Sequence, residues 1–388
     1  MITRHAYTLA NELKAGFPII AITGPRQSGK TTLARALFPE RAYVTLEDPD
    51  ERSFALRDPR GFLQRFTDGA IIDEAQRCPE LFSYLQGWVD KRRRMGDIVL
   101  TGSQHFDLRA GISQSLAGRV GLVELLPFSL AELIAGGFSP PTLDDLLWSG
   151  GYPPLFDRPI APPLWFANYV ATYLERDVRQ LIAVRDIDLF QRFLKLCAAR
   201  TGQLLNLSAL AVDCGISHVT AREWLAVLEA SYIVVRLPPY HRNFGKRLVK
   251  TPKLYFLDVG LAAWLLGIRD AASLATHAQR GALFETWVVG ELIKGRSNAG
   301  DRASLHFWRD NVGHEVDLLI ERGDRLQAIE IKSGATFVPE WQAGVRKWQG
   351  FAGDLALPPV IIYGGEGQFV REGMQVTGWR ELGHHATY

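Results

Sequence analysis

No run in this 388-residue chain approaches the about 18 consecutive apolar residues of a membrane span. The opening stretch, MITRHAYTLANELKAG, has no apolar core of the signal-peptide kind. Cysteine is scarce: Cys78, Cys197 and Cys214 are odd in number and scattered, which excludes a disulfide framework and a cysteine-based zinc site. The nine histidines include no HExxH pair and no Cys/His cluster. Together these absences predict a reducing, cytoplasmic setting with no membrane contact. Net charge is only +2, so no single-sign field covers the molecule. The densest basic run, KRRRMGD (91–97), reads as a solvated helix end or as a contact for nucleic acid or an acidic partner. Internal repeats and low-complexity blocks are also missing, so solenoid and disordered architectures are set aside.

What is present begins with AITGPRQSGKTTLARALF, residues 21–38. Gly24, Gly29, Lys30 and Thr31 fit GxxxxGK[ST], the P-loop pattern. Glycines let the backbone fold so that N–H groups face phosphate oxygens. The lysine reaches the β- and γ-phosphates, and the hydroxyl after it meets Mg²⁺. The context agrees. FPIIAIT (17–23) reads as a buried parallel strand. TTLARALF places Leu33, Ala34 and Leu37 on one helix face, so a helix N-terminus faces the phosphates. Gly24, Pro25, Arg26, Gln27, Ser28, Gly29, Lys30, Thr31 and Thr32 are therefore the expected ATP-binding segment.

Between residues 17 and 127, apolar runs alternate with helix-like segments: FPIIAIT, YVTLED, AIIDEA, DIVLTGS and GLVELLP. Such alternation predicts βα units and a parallel sheet, with ligands at the carboxyl ends of its strands. AIIDEAQ ends one of these strands in Asp73 and Glu74. A P-loop enzyme needs an acid to hold the metal and a base to orient water. Asp73 is the expected Mg²⁺ residue with Thr31, and Glu74 the expected general base. Ser103 and Gln104, in DIVLTGSQHF, are candidate γ-phosphate sensors or a plain strand-end turn. Arg119, in SLAGRVG, is a candidate for stabilising transition-state charge, in cis or across a subunit interface, or a surface arginine.

Proline-rich breaks follow, and YPPLFDRPIAPP (152–163) is the best candidate boundary. Residues 164–230 read as helical. LLNLSALAVDCGISHVTAREWLAVLEASYIVVRL has a helix–turn–helix cadence: Leu207, Leu210 and Ala211 form one stripe, Gly215 breaks the chain and Ser217 can cap the next helix. Val219, Leu225 and Leu228 continue the core, and YIVVRL follows like a wing strand. A winged helix would present His218, Thr220, Arg222 and Glu223 outward, toward DNA or as an interdomain packing module.

HEVDLLIERGDRLQAIEIKS (314–333) is the second informative stretch. Gly323-Asp324 suits a two-residue type II′ turn, so Arg322 faces Arg325 and Asp317 lies opposite Glu330. Opposed residues have Cβ atoms about 4.5–5.5 Å apart. Lys332 shares the face of Glu330. Val316, Leu318, Ile320, Ile329 and Ile331 take the other, core face. Two close carboxylates repel, and a hard divalent cation relieves them. Glu285, on a preceding helix, could add a third carboxylate. Ordinary ion pairs on a solvated hairpin are the alternative.

The order GPRQSGKTT, DEAQ, LTGSQ, SLAGR, GGYP (150–153), YLERDV (173–178), LFE and EVD…EIK resembles the prokaryotic AAA-type ATPases with a C-terminal domain of unknown function. The C-terminal part, about 280–363, resembles the PD-(D/E)xK nuclease fold, with Glu285, Asp317, Glu330 and Lys332 at its acid and E-x-K positions. The resemblance implies an α/β chain of three parts: an AAA-like P-loop ATPase core (1–160), a helical lid with a winged-helix-like module (161–275), and a restriction-endonuclease-like domain (276–388). It implies ATP and Mg²⁺ as cofactors, Glu74 and Arg119 as catalytic in the core, and Asp317, Glu330 and Lys332 as catalytic in the C-terminal domain, with Glu285, Asp317 and Glu330 as metal ligands. DNA and a second copy of the chain are the expected macromolecular partners. The competing functions are an ATPase that remodels or binds nucleic acid with a metal-dependent nuclease domain, a signalling switch whose nuclease-like domain only binds partners, and a protein-remodelling ATPase.

Overall fold

The structure, a computed structural model, describes residues 2–103, 115–174, 186–240, 249–301 and 305–383. Gln104 and residues 175–178 of YLERDV lie outside these. The chain forms two compact units, one running to Pro127 and one from Phe128 onward; Ala230–Tyr232 and Ser297–Asp301 fold with the first. The divide at Pro127 falls earlier than the expected 160, and the middle and C-terminal parts make one unit rather than two. The reason is burial: one apolar core runs without interruption from Leu130 through Trp165, Phe193, Leu254 and Phe284 to Ile329 and Leu382. The proline-rich stretch lies inside that unit, where Tyr152 packs against Trp165 and Tyr169.

The first unit is built on five parallel strands: β1 (Ile19–Thr23), β2 (Ala42–Thr45), β3 (Ala70–Asp73), β4 (Ile98–Gly102) and β5 (Val120–Glu124), in the order β2-β3-β4-β1-β5. These are the five apolar runs read from the sequence. Both faces of the sheet are covered. Ile19, Ala21, Ile72 and Leu100 join one apolar cluster, and Ile20, Ile22, Ile71 and Val99 join the other with Leu33, Ala34 and Leu37 of the helix Lys30–Leu37. Near-continuous apolar strands are what a doubly covered parallel sheet requires. β4 stands between β1 and β3, so three strand ends converge on one edge. The basic run 91–97 closes a helix, Leu81–Arg92, and Arg92 bonds the buried Asp97 at 2.9 Å. Two arginines of that run thus face an acid of their own chain, since Arg94 also lies 3.8 Å from Asp97.

In the second unit the helices Leu207–Cys214 and His218–Ala230 meet at Gly215, whose φ of +79° ends the first helix in the left-handed region. Ser217 Oγ accepts from Thr220 N and caps the second. Three short antiparallel strands accompany them, β6 (Gln203–Leu204) just before the pair and β7 (Val234–Leu237) and β8 (Lys253–Phe256) after it, in the order β6-β8-β7. Leu210, Ala211, Leu225 and Leu228 are buried, but Val219 is 58% exposed and does not belong to the core. It shares the outer surface with exposed His218, Arg222 and Glu223, at the start of the helix, before the buried stripe begins.

A mixed six-stranded sheet completes this unit: β9 (Leu305–Arg309), β10 (Glu315–Arg322), β11 (Arg325–Lys332), β12 (Val360–Tyr363), β13 (Gln368–Arg371) and β14 (Met374–Gly378), in the order β13-β14-β12-β11-β10-β9. The Gly323-Asp324 hairpin has the expected register, Arg322 opposite Arg325 and Leu318 opposite Ile329. Gly323 is at φ +65°, as the first central residue of a type II′ turn requires. The aliphatic face differs from the expectation at one point. Leu318, Ile320, Ile329 and Ile331 enter the main core, whereas Val316 packs with Leu319, Leu326, Ala328 and Trp348. The register to β9 shifts between Val316 and Leu319, and a bulge there breaks the alternation of faces.

Candidate functional site

The P-loop bends between β1 and the helix Lys30–Leu37. Gly24 has φ +146°, and a Cβ there would sit 2.1 Å from Leu125 O. Gly29, at φ +93°, turns the loop into the helix. Both positions need glycine, the first for close approach and the second for a left-handed backbone. Lys30 is 7% exposed, and its Nζ donates to Gly24 O (3.0 Å) and Pro25 O (2.7 Å). The ammonium is thus held inside the curve of the loop. Arg4, a residue that the sequence reading missed, fixes the loop from behind by donating to Ser28 O and Leu126 O. Nothing in its sequence neighbourhood signals this role, because the partner carbonyls are brought to it only by folding.

Thr31 Oγ1 donates to Asp73 Oδ2 at 3.2 Å, which joins the P-loop to the end of β3. The same carboxylate accepts from Tyr43 OH at 2.7 Å and from Thr101 Oγ1. Burial, then the hydrogen bond to Asp73, pushes the Tyr43 phenol up to about 12, so it stays a donor at neutral pH. A threonine hydroxyl and a carboxylate at the mouth of a P-loop form the oxygen donor set that a hard cation such as Mg²⁺ takes. The residues present fit that ion. An open cleft of about 540 Å³ lined by Thr31, Thr32, Arg35 and Ala36 lies alongside.

Glu74 follows Asp73 with φ +54°, a left-handed conformation uncommon for a residue with a side chain. Its Oε2 accepts from Ser103 Oγ at 3.2 Å and from Gln76 Nε2 at 2.5 Å. The end of β4 therefore holds the carboxylate that leaves the end of β3. Arg119 is elsewhere. Its backbone carbonyl accepts from Ile19 N at the start of β1, whereas the P-loop follows the other end of that strand, after Thr23. Its guanidinium makes a two-pronged pair with Asp90, Nε–Oδ1 2.6 Å and NH2–Oδ2 2.8 Å. A role in cis at the phosphates is thereby contradicted: the parallel register, which sequence order does not reveal, places Arg119 at the opposite edge of the sheet.

In the second unit the hairpin does gather its polar residues. Lys332 Nζ lies 2.5 Å from Glu330 Oε1 and 3.8 Å from Asp317 Oδ2, and Asp317 Oδ2 also accepts from Ile331 N. Glu285 is reached by two residues of β8: Lys253 Nζ lies 2.9 Å from its Oε1, and Tyr255 OH donates to the same oxygen at 2.5 Å. Lys253 also meets Glu315 Oε1 at 2.5 Å. Burial, then the charge of Asp317, raises the pKa of both Glu285 and Glu330. Burial works against the charge of Lys253, but Glu285, Asp317 and Glu315 together overcome it and raise its pKa. Lys253, Tyr255 and Glu315 were not among the expected residues. The first two lie on a strand far upstream, and no local spacing connects them to the hairpin.

Glu285, Asp317 and Glu330, the expected metal set, share their cluster with the ammonium groups of Lys253 and Lys332. Among the described residues no group of three or more His, Cys, Asp or Glu is placed to hold a metal ion. The carboxylates are spread around two ammonium groups instead, so a divalent cation does not fit this arrangement.

The uncharacterized protein Rv2008c of Mycobacterium tuberculosis is 34% identical over 358 residues, covering 91% of this chain and 78% of that protein. The chain belongs to the same family. The uncharacterized protein Mb2031c of Mycobacterium bovis matches with the same figures. An uncharacterized protein of Haemophilus influenzae is 25% identical over 281 residues, 67% of this chain and 64% of that protein. Within the chain, residues 16–134 match the family described as AAA domain, residues 140–272 a domain of unknown function (DUF8612), and residues 280–382 another (DUF4143). The P-loop unit of this family member is thus an AAA-type ATPase domain. Among solved structures, the Walker-type ATPase PABY2304 of Pyrococcus abyssi superposes with a TM-score of 0.46 at 17% identity, over 68% of this chain and 96% of that one. AMPPCP-bound DnaA from Aquifex aeolicus gives 0.30 at 15% identity, over 58% and 86%. Neither superposition is close enough to carry a functional inference. No helix among the described residues is long and apolar enough to cross a membrane.

Proposed function

We propose that the chain binds ATP with Mg²⁺ and hydrolyses it. The observation that carries this reading is the convergence of Lys30, Thr31, Asp73 and Glu74 at one sheet edge, with Glu74 Oε2 held by Ser103. Backbone N–H groups of residues 24–32 and the Lys30 ammonium would bind the phosphates. Thr31 and Asp73 would hold Mg²⁺, which when bound supplies positive charge against the charge that develops on the phosphoryl oxygens. Glu74 would accept a proton from the attacking water, and Ser103 and Gln76 keep its carboxylate oriented. The test is single-turnover hydrolysis of ATP by wild type and Glu74→Gln. Equal rates would overturn the assignment.

A second reading concerns the output of the ATPase, and the helix pair Leu207–Cys214 and His218–Ala230 with its three-stranded sheet favours it. On this reading the pair and its strands act as a winged helix. Exposed His218, Arg222 and Glu223 with part-exposed Thr220 form a surface for DNA. The C-terminal sheet with its acid–lysine cluster would be a nuclease-like domain that binds partners rather than cleaving them. Binding of labelled duplex DNA, lost in Arg222→Ala, tests the DNA contact. A role across a subunit interface remains the place for Arg119, with a homo-oligomer in the cytoplasm as its setting.

A further inference from the structure

We infer that Lys253 is a resident cation of the acid cluster in the second unit, occupying the place of a divalent metal and keeping the cluster metal-free. This deepens the binding-only reading of the C-terminal domain and is independent of ATP hydrolysis. Four carboxylates converge here, on Glu285, Glu315, Asp317 and Glu330. Left alone, so many like charges would repel and take up protons or a cation. The chain supplies the cation itself. The Lys253 side chain is 4% exposed, bridges Glu285 and Glu315, and stands 5.6 Å from the centre of the Phe307 ring. A buried ammonium is costly unless it is paired on several sides, and this one is.

Each of the four carboxylates already has at least one oxygen engaged by the chain's own donors. Glu285 Oε1 accepts from both Lys253 and Tyr255. Glu315 gives Oε1 to Lys253 and Oε2 to Arg309 at 3.1 Å. Asp317 Oδ2 accepts from Ile331 N, and Glu330 Oε1 from Lys332. A divalent ion entering among them would lie within a few ångströms of one or two ammonium charges and would be repelled. One group points to a latent site: among the described residues Glu330 Oε2 is buried without a hydrogen-bond partner. Removing the Lys253 charge would leave Glu285 and Asp317 under-neutralised beside that oxygen, and the cluster would then recruit a hard cation.

The test uses the full chain with Lys30→Ala, so that metal at the P-loop does not contribute, and reads Mn²⁺ binding by electron paramagnetic resonance. The Lys30→Ala chain should bind no Mn²⁺ at millimolar concentration. Adding Lys253→Met should create binding of about one equivalent, which a further Asp317→Asn removes. Its melting temperature should fall in EDTA and recover with Mn²⁺, whereas the chain that keeps Lys253 should not respond to the ion. If Lys253→Met is unfolded in EDTA, recovery of its circular dichroism with Mn²⁺ reads the same competition. Mn²⁺ binding by the Lys30→Ala chain that Asp317→Asn abolishes would overturn the inference. So would a Lys253→Met chain that neither binds the ion nor is stabilised by it, since Lys253 would then be an ordinary structural ion pair. DNA cleavage assayed on the same variants bears on the binding-only reading alone, because metal exchange can occur with or without cleavage.

Discussion

Ser103 Oγ donates to Glu74 Oε2 across the gap between the ends of two neighbouring strands. The proposed base is therefore oriented by a residue that arrives from elsewhere in the chain. Glu74→Gln should keep ATP affinity and lower the rate of hydrolysis by about 10²–10⁴-fold, the usual contribution of general base catalysis. Calorimetry of ATP binding beside single-turnover kinetics separates the two quantities. Ser103→Ala should lower the rate by less, because it loosens the base without removing it.

Lys30→Ala should abolish tight ATP binding. The ammonium is held against Gly24 O and Pro25 O, at the position where phosphates are expected. A calorimetric titration showing unchanged affinity would exclude the loop as the nucleotide site.

Gly150→Ala should destabilise the second unit by about 1–3 kcal/mol or more. Gly150 has φ +68° and ψ −156°, and a Cβ there would meet Asp258 Oδ1 at 2.4 Å. Asp258 cannot yield, since it accepts from Gly151 N and caps the helix Val259–Leu265 through Leu261 N. This is the physical content of the GGYP stretch. Thermal melting with Gly150→Ala beside Gly118→Ala, a glycine at φ +76° with nothing near its Cβ position among the described residues, separates the clash from the backbone strain.

Stability should fall as pH rises from 4.5 to about 8. Burial, then Asp317, raises the Glu330 carboxyl from 4.5 to about 8, so the folded chain holds a proton that the unfolded chain releases. In that window the folded state binds more protons, and the slope of unfolding free energy with pH is negative. Glu330→Gln should flatten this part of the profile in chemical denaturation. A profile that keeps its slope in the variant would assign the proton to another group, with Glu285 next in line because its carboxyl is raised too.

Arg119→Ala should leave ATP turnover unchanged in dilute protein, because the side chain pairs with Asp90 at the sheet edge away from the P-loop. A loss of turnover confined to high protein concentration would place the guanidinium in the site of a neighbouring copy.

Much of the ATPase domain was legible because its signals are local. The P-loop needs four fixed residues within eight positions, and each β-strand here is a short apolar run. The hairpin register was legible for the same reason: a two-residue turn fixes the pairing of everything that follows it, and Arg322 does face Arg325. The limit came where an irregularity intervened. The bulge at Val316–Leu319 moved Val316 to the other face, and nothing in the alternation of residues announces it. The extent of the second core was equally hidden, because a proline-rich stretch looks like a boundary whether or not its aromatic residues are buried.

By itself the sequence determined the chemistry that neighbouring residues can perform: a phosphate loop, an Asp-Glu pair leaving a strand, and an acid pair facing each other across a tight turn. Tertiary structure decided which charges meet. It put Arg119 at the wrong edge for catalysis within its own chain, brought Ser103 to Glu74, and carried Lys253 and Tyr255 into a cluster of acids that otherwise resembles a metal site. Spacing along a chain constrains only residues within a turn or a hairpin of one another. Whether a carboxylate is answered by a metal or by a lysine depends on which side chain folding delivers from a distance.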